Sequence, residues 1–136
     1  MNQAVSNLAV LLASMEPVLH EGVYAFCVLA HGANVNAFSP MATVVESGGI
    51  TIVVPDEQAV NAGLAVLLRV AWITLTVHSD LRAVGLTAAF SSALSQSGIS
   101  CNVMSGAFHD HIFVPVEQAR QALGVLQTLQ QDSVRE

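Results

Sequence analysis

Residues 99–129, ISCNVMSGAFHDHIFVPVEQARQALGVLQTL, decide the fold, because they hold a hairpin and then a helix whose opening residues also occur earlier in the chain. Residues 50–63 read ITIVVPDEQAVNAG and residues 111–123 read HIFVPVEQARQAL. Both stretches have an apolar run that ends in Val-Pro, then one variable residue, then Glu-Gln-Ala. The chain therefore contains a duplicated unit.

In each copy the proline marks the point where a strand gives way to a helix. Proline cannot donate a hydrogen bond to a neighbouring strand, but it suits the first turn of a helix, where its missing N–H would be unpaired. The glutamate two residues later places negative charge where the helix dipole favours it. Residues at helical spacing predict the buried faces: Val60, Leu64 and Leu67 in a first helix over residues 55–67, and Val116, Ala119, Leu123 and Leu126 in the second.

The other patterns complete two similar halves. The predicted elements are, in order, a helix over residues 3–15, an interior strand 23–29, a loop 30–40, a hairpin turning at Gly48-Gly49, a strand 70–78, a helix 84–97 and the hairpin 99–114. Hairpins and crossover helices combine most simply into antiparallel sheets with helices on one face. We predict an α+β fold of two ferredoxin-like βαββα units in tandem, residues 1–68 and 69–136. The second unit lacks a final strand of its own, so the other unit or another subunit must cover that edge.

The composition narrows the class of partner. Hydrophobic residues make up 53% of the 136 residues and charged residues only 10%, against about a quarter in ordinary globular proteins. With so few charged residues, part of the apolar surface must be covered by another subunit, which predicts a homodimer or a higher homo-oligomer. The net charge is −6 and the cations are four arginines, which argues against nucleic acid and against an anionic membrane as partner.

The two cysteines, Cys27 and Cys101, are too few for a disulfide framework and fall inside predicted strands. Buried thiols of this kind indicate a reducing compartment, so we predict a cytoplasmic protein. Residues 62–77 form the longest apolar block, which Arg69 interrupts and which is too short for a membrane span. The first 15 residues have no basic leader and no cleavage pattern of a signal peptide.

Four segments resemble the ACT domain. Residues 75–79 (LTVHS), 84–90 (VGLTAAF) and 97–103 (SGISCNV) look like its strand and turn, glycine-led helix and Ile-x-x-Asn strand. Residues 109–115 (HDHIFVP) are similar to the signature of a small bacterial tandem-ACT family that was long known only as a domain of unknown function. The resemblance covers nearly the whole chain and extends to the ACT units of aspartate kinase and of cytosolic arginine sensors.

The resemblance implies a non-catalytic regulatory module that binds an amino acid or a similar small metabolite at an interface between ACT units. Ligands in such domains meet the loop after the first strand, the N-terminus of the following helix and an asparagine on the second strand. Arginine sensors add an acidic residue ahead of a similar strand. On this sequence the matching positions are Ser79, Asp80, Val84, Gly85, Leu86, Asn102 and Asp110.

Three of these residues also have a purely structural interpretation. Gly85 can let backbone amides approach a ligand carboxylate, or it can simply allow close packing of the helix. Asn102 can bind a zwitterion or be a polar residue on a half-exposed strand. Asp110 can pair with a ligand ammonium or arginine, or cap the turn that follows Ser105.

His109 and His111 alternate onto one face of a strand and are the candidate metal ligands. Without a cluster of Cys, His or Glu to complete such a site, they are more simply hydrogen-bonding groups across the sheet or at a dimer face. The sequence predicts no cofactor and no enzymatic activity. The alternative to a sensor is a structural or protein-interaction module whose apolar surface serves oligomerisation.

Overall fold

Residues 4–135 are described in a computed structural model, and they form one antiparallel sheet with helices on one of its faces. The strands are β1 (Pro17–Leu19), β2 (Tyr24–Leu29), β3 (Ala42–Glu46), β4 (Gly49–Pro55), β5 (Leu68–Leu75), β6 (Asn102–Ser105) and β7 (Asp110–Pro115). The helices are α1 (Leu8–Ala13), α2 (Asp56–Asn61), α3 (Leu86–Gln96) and α4 (Ala119–Arg135), with short 3-10 turns at Val35–Ala37 and Val116–Gln118. This architecture confirms the predicted fold class.

The strands follow the order β3-β4-β2-β5-β7-β6, so the two halves of the chain share a single sheet. β2 and β5 join the halves, with Tyr24 opposite Val70 and Phe26 opposite Leu68. β1 continues the line of β2 along β5 and places Pro17 opposite Leu75. The first half therefore covers the edge that the second half was predicted to leave open.

The helices cover one face of the sheet and enclose two buried clusters. The larger lies under α1, α3 and α4, and its bulkiest members are Leu11, Met15, Ile73, Leu75, Phe90, Leu94, Ile112 and Leu126. The smaller lies under α2 and contains Ala25, Cys27, Leu29, Ile50, Ile52, Val54 and Ala59. The inner face of α3 consists of Leu86, Phe90 and Leu94, which are buried.

The opposite face of the sheet carries a third apolar cluster, which we call the open face. Its buried centre is Val53, Val70 and Phe113, ringed by half-buried Tyr24, Phe26, Met41, Ala42, Trp72 and Met104. None of these residues lies on a helix of the described chain. Alternation along each strand separates the two faces, because successive side chains point in opposite directions.

The N-terminal helix is shorter than predicted. Residue 3 lies outside the described residues, and from residue 4 the chain is extended until Asn7, whose side chain accepts a hydrogen bond from the Val10 N–H and begins α1. Val5 pairs with Ser79 in an isolated parallel bridge. Its N–H and C=O are committed to that bridge, so the segment before Asn7 is not helical.

The first helix of the repeat also ends early, at Asn61 instead of residue 67. Gly63 has φ of +69°, and the Leu64 N–H returns to the Ala59 carbonyl, which closes the helix with a left-handed residue. Its predicted inner face is wrong at Val60 and Leu67, which are exposed; Ala59 is the buried residue and Leu64 is half-buried against it.

Three further boundaries differ from the prediction. The strand predicted over residues 70–78 starts at Leu68 and ends at Leu75, because the Thr76 N–H bonds to the Met15 carbonyl instead of a strand. The helix predicted to begin at residue 84 begins at Leu86. Within residues 4–135, no helix is both long and apolar enough to cross a membrane.

Candidate functional site

The loop after β5 is paired with the N-terminal arm, residues 4–6. The Val5 N–H donates to the His78 carbonyl at 2.7 Å, and the Asp80 N–H donates to the Val5 carbonyl at 2.9 Å. The Ser6 hydroxyl reaches Asp80 Oδ2 at 3.5 Å, while the Arg82 N–H donates to Asp80 Oδ1 at 2.8 Å. Asp80 thus shapes its own loop in a local turn and also contacts the arm.

Asp110 lies behind this loop at the start of β7, and only 6% of its surface is exposed. The Ser79 hydroxyl donates to its Oδ2 at 3.2 Å, and the Ser105 hydroxyl donates to its Oδ1 at 2.7 Å. Among the described residues, no arginine or histidine nitrogen comes within 4 Å of this carboxylate. A buried carboxylate is therefore held by two neutral hydroxyls, which satisfy hydrogen bonds but supply no positive charge.

Gly85 is the N-cap of α3 and has φ of +106°, a conformation that favours glycine. Without a side chain it cannot cap the amides of the first turn, and a Cβ at this position would lie 2.9 Å from Leu8 Cδ2. The close neighbour is thus a side chain of α1. Its two predicted companions diverge: Leu86 is buried in the core, whereas Val84 is 84% exposed.

Asn102 is not brought together with the other predicted residues. Asn102 lies on β6 and pairs with Phe113 of β7. It is three positions from Ser105, which corresponds to about 10 Å along a strand. Its side chain lies with Phe113 and Met104 on the open face, opposite to the face where Ser105 meets Asp110. Ser79 is therefore the predicted residue that contacts Asp110, and Asn102 lies on the opposite face of the sheet.

His111 lies in a hydrogen-bonded group on the open face. Its Nδ1 accepts from Trp72 Nε1 at 3.1 Å and lies 3.0 Å from Thr74 Oγ1, which in turn lies 2.7 Å from His20 Nε2. The His20 ring stacks on Trp72 with 3.6 Å between the ring centres. His109 has a longer contact, 3.4 Å from its Nδ1 to the Val77 carbonyl.

Burial lowers the pKa of His111, and repulsion from His109 and His20 lowers it further against a smaller opposing effect of Asp110. Burial also lowers the pKa of His20. No group of three or more potential metal ligands occurs in the described part of the chain. For His109 and His111 the geometry therefore favours hydrogen bonding across the sheet over metal binding.

Several residues of these groups were missed from the sequence. Val5, Ser6 and Leu8 reach the loop only through the fold, and nothing in their local pattern indicates that contact. Ser105 could have been found, because the register of a short hairpin places it directly opposite Asp110.

The two halves form one α+β sheet domain, and comparison with known proteins gives its family. Two ACT domain profiles match the chain, one over residues 3–70 and the other over residues 68–128. The chain belongs to the ACT domain family. No curated protein matches it.

Solved structures agree with that assignment. A Vibrio cholerae protein of unknown function, described as a possible transport protein, shares 46% identity with a TM-score of 0.81 over 90% of this chain and 95% of its own. The regulatory subunit of aspartate kinase from Thermus flavus is 12% identical, with a TM-score of 0.61 over 83% of this chain and 95% of its own. An Agrobacterium tumefaciens protein is 16% identical, with a TM-score of 0.65 over 84% and 87%. The last two share the fold.

Proposed function

We propose that this chain is a non-catalytic regulatory module that binds a free amino acid between its two units, at the place where Asp110, the loop after β5 and the N-terminal arm meet. The tandem ACT fold supports a regulatory ligand-binding role. The arm belongs to the first unit and the loop to the second, if the units divide at residue 68 as the repeat predicts. The proposed site then lies at an interface between the two units.

The observation that carries the proposal is the buried carboxylate of Asp110. Two serine hydroxyls bind it, and within residues 4–135 no cationic side chain lies within 4 Å to compensate its charge. A ligand ammonium would supply that charge and add an ion pair to the two hydroxyl hydrogen bonds. The uncapped first turn of α3, after Gly85, offers backbone amides to the ligand carboxylate.

The N-terminal arm affects access to both groups. Leu8 lies against Gly85 and is 38% exposed, so a ligand that reaches the amides of α3 must displace this side chain. Asn102 is outside the proposed site, because its side chain lies on the open face.

A screen of the twenty amino acids and common nucleotides by thermal unfolding tests the proposal. A ligand that binds only the folded chain stabilises it by about 2.7 kcal/mol at a hundredfold excess over its Kd, which raises Tm measurably. Asp110→Asn is expected to abolish the shift, because an amide cannot compensate an ammonium. Asp132→Asn, which changes an exposed carboxylate on α4, is expected to leave it intact.

Two results would count against this function. A wild-type chain that no amino acid stabilises does not sense amino acids. A shift that persists at full size in Asp110→Asn moves the ligand to another site.

A second candidate, a structural or interaction module without a ligand, is favoured by the exposed apolar side chains. The most exposed of these are Val45, Leu67, Leu81, Val84 and Val134. This candidate predicts an oligomer that survives dilution and does not respond to metabolites. Sedimentation velocity over a dilution series, with and without the amino-acid mixture, distinguishes it from a sensor.

A further inference from the structure

The open face holds a cavity that the proposed function does not use. Side chains of β3 and of β6 line it together, although these strands are at opposite ends of the sheet order. The sheet must therefore curl so that its two edges approach one another on the side without helices. Phe26 and Phe113 pack edge to face across β5, with 5.8 Å between their ring centres.

Curling explains why this face buries residues that no helix covers. Val53 and Phe113 each have only 2% of their surface exposed and form part of the wall. Between them and the two edge strands remains a space of about 190 Å³. An apolar cavity of about 150 Å³ is enough to hold a molecule of benzene in other proteins.

The polar groups of the cavity define the charge of what it can hold. Asn102 contributes a carboxamide that makes no hydrogen bond with any other described residue. Thr51 contributes a hydroxyl that donates to Glu46 Oε1 at 2.5 Å, so the carboxylate next to the cavity is an acceptor. No arginine or histidine is among the lining residues. Neutral and cationic groups can be satisfied here, whereas a carboxylate would face Glu46 without a counter-ion.

We propose that the open-face cavity is a second binding site, which takes a small molecule with a single ring or a short branched chain and one neutral or cationic polar group. The ring fills the space against Phe113 and Val53, and the polar group hydrogen-bonds to Asn102. The site is separate from Asp110, which lies on the other face of the sheet. Either site can fail without consequence for the other.

Three probes of similar shape but different charge test whether the cavity prefers neutral or cationic ligands: benzyl alcohol, benzylamine and benzoate. Methyl-labelled methionine provides the readout by NMR, because Met104 lines the cavity while Met15 is fully buried on the opposite face. Benzyl alcohol and benzylamine are expected to shift the Met104 methyl signal and to leave that of Met15 unchanged. Benzoate is expected to shift neither. A Met104→Leu variant assigns the signal.

Two variants separate binding from folding. Asn102→Ala changes an exposed side chain, so the fold is kept, and it is expected to weaken binding of benzyl alcohol about tenfold, the effect of losing one hydrogen bond. Ala42→Leu adds bulk to the wall and is expected to abolish the shift. Asp132→Asn, which changes an exposed side chain of α4, is the matched control and is expected to bind benzyl alcohol as the wild type does.

The proposal is overturned if Met104 does not respond to saturating benzyl alcohol, or if all three probes bind alike. It is also overturned if the Met104 signal depends on protein concentration and not on the probe. In that case a second copy of the chain occupies the cavity.

Discussion

Trp72 donates a hydrogen bond to Nδ1 of the His111 imidazole. An indole N–H can only donate, so His111 Nδ1 must accept, and the imidazole is neutral with its proton on Nε2. The Thr74 hydroxyl can then donate to the same nitrogen while it accepts from His20 Nε2. The indole N–H thus fixes the hydrogen-bond directions in a chain of three groups, His20 after β1, Thr74 on β5 and His111 on β7.

This arrangement predicts a pH-dependent stability. The pKa of His111 is lowered below 6.5 in the folded chain, so the unfolded chain binds more protons as the pH falls below 6.5. The stabilisation is complete above pH 6.5 and is lost as the pH falls through the folded pKa. Trp72→Phe removes the donor that favours neutral imidazole and is expected to move the pKa of His111 back towards 6.5.

Imidazole signals followed by NMR titration measure this pKa, and urea unfolding above and below pH 6.5 measures the stability. The groups that act on His111 besides Trp72 are His109, His20 and Asp110, and they stay in place in the variant. Tyr24→Phe is the aromatic control, because Tyr24 packs on the edge of Trp72 but its hydroxyl bonds to the Glu21 carbonyl. An unchanged pKa in Trp72→Phe would show that the indole does not set the protonation state.

At the scale of elements, the repeat shows how much a short motif can determine. Pro55 and Pro115 have nearly identical backbone angles, φ −53° and −52° with ψ 135° in both, so the same residues make the same strand-to-helix junction twice. The helices that follow differ, since α2 has six residues and α4 has 17. Gly63 adopts positive φ and ends the first, whereas Gly124 continues the second, which packs on α1 and α3.

The start of α3 depends on its contact with α1, which predicts a coupled effect of two substitutions. Gly85→Ala places a Cβ at φ +106° and 2.9 Å from Leu8 Cδ2, and is expected to cost about 1–3 kcal/mol of stability from the backbone alone plus the steric contact. Gly22→Ala is the control for the backbone, because its φ is +97° and no atom lies within 4 Å of the added Cβ.

Chemical unfolding of Gly85→Ala in the wild-type and Leu8→Ala backgrounds isolates the contact. Gly22→Ala measures the backbone cost alone, and the additional cost of Gly85→Ala is the cost of the contact with Leu8. The Leu8→Ala background is expected to remove this additional cost, a coupling of about 0.5 kcal/mol or more. Equal costs in both backgrounds would mean that Leu8 moves aside freely and that Gly85 is needed for its backbone conformation only.

For the whole molecule, the shared sheet makes one cooperative unit of two sequence halves. β5 pairs with β1, β2 and β7, so the strand of one half is bonded on both sides, partly by the other half. The main core likewise combines Leu11 and Met15 from the N-terminal region with Phe90 and Leu126 from the second half. Neither half can unfold without exposing the other.

We therefore expect a single unfolding transition. Trp72 fluorescence and far-ultraviolet circular dichroism should follow the same curve in urea, and the calorimetric and van't Hoff enthalpies should agree. Phe90→Ala, which opens a cavity in the main core at a cost of about 3–5 kcal/mol, should shift both curves together. Two separate transitions, with only one displaced by Phe90→Ala, would show that the halves are independent.

The candidate sites show where a linear pattern is sufficient and where it is not. Alternation alone separates Asn102 from Asp110, since the two residues have opposite relations to the apolar face of their strands, and the structure agrees. The family resemblance had grouped them at one site. The resemblance placed Ser79 and Asp110 in one set of candidate residues, but it did not predict that they contact each other.

The amino-acid sequence by itself determined the duplicated strand–proline–helix junction, because this junction depends on neighbours within a few residues. Only the tertiary structure decided that the N-terminal arm covers the loop after β5, that β1 completes the second half and that the sheet curls around an apolar cavity. These features depend on contacts between residues some 50 to 100 positions apart, where no local periodicity carries a signal.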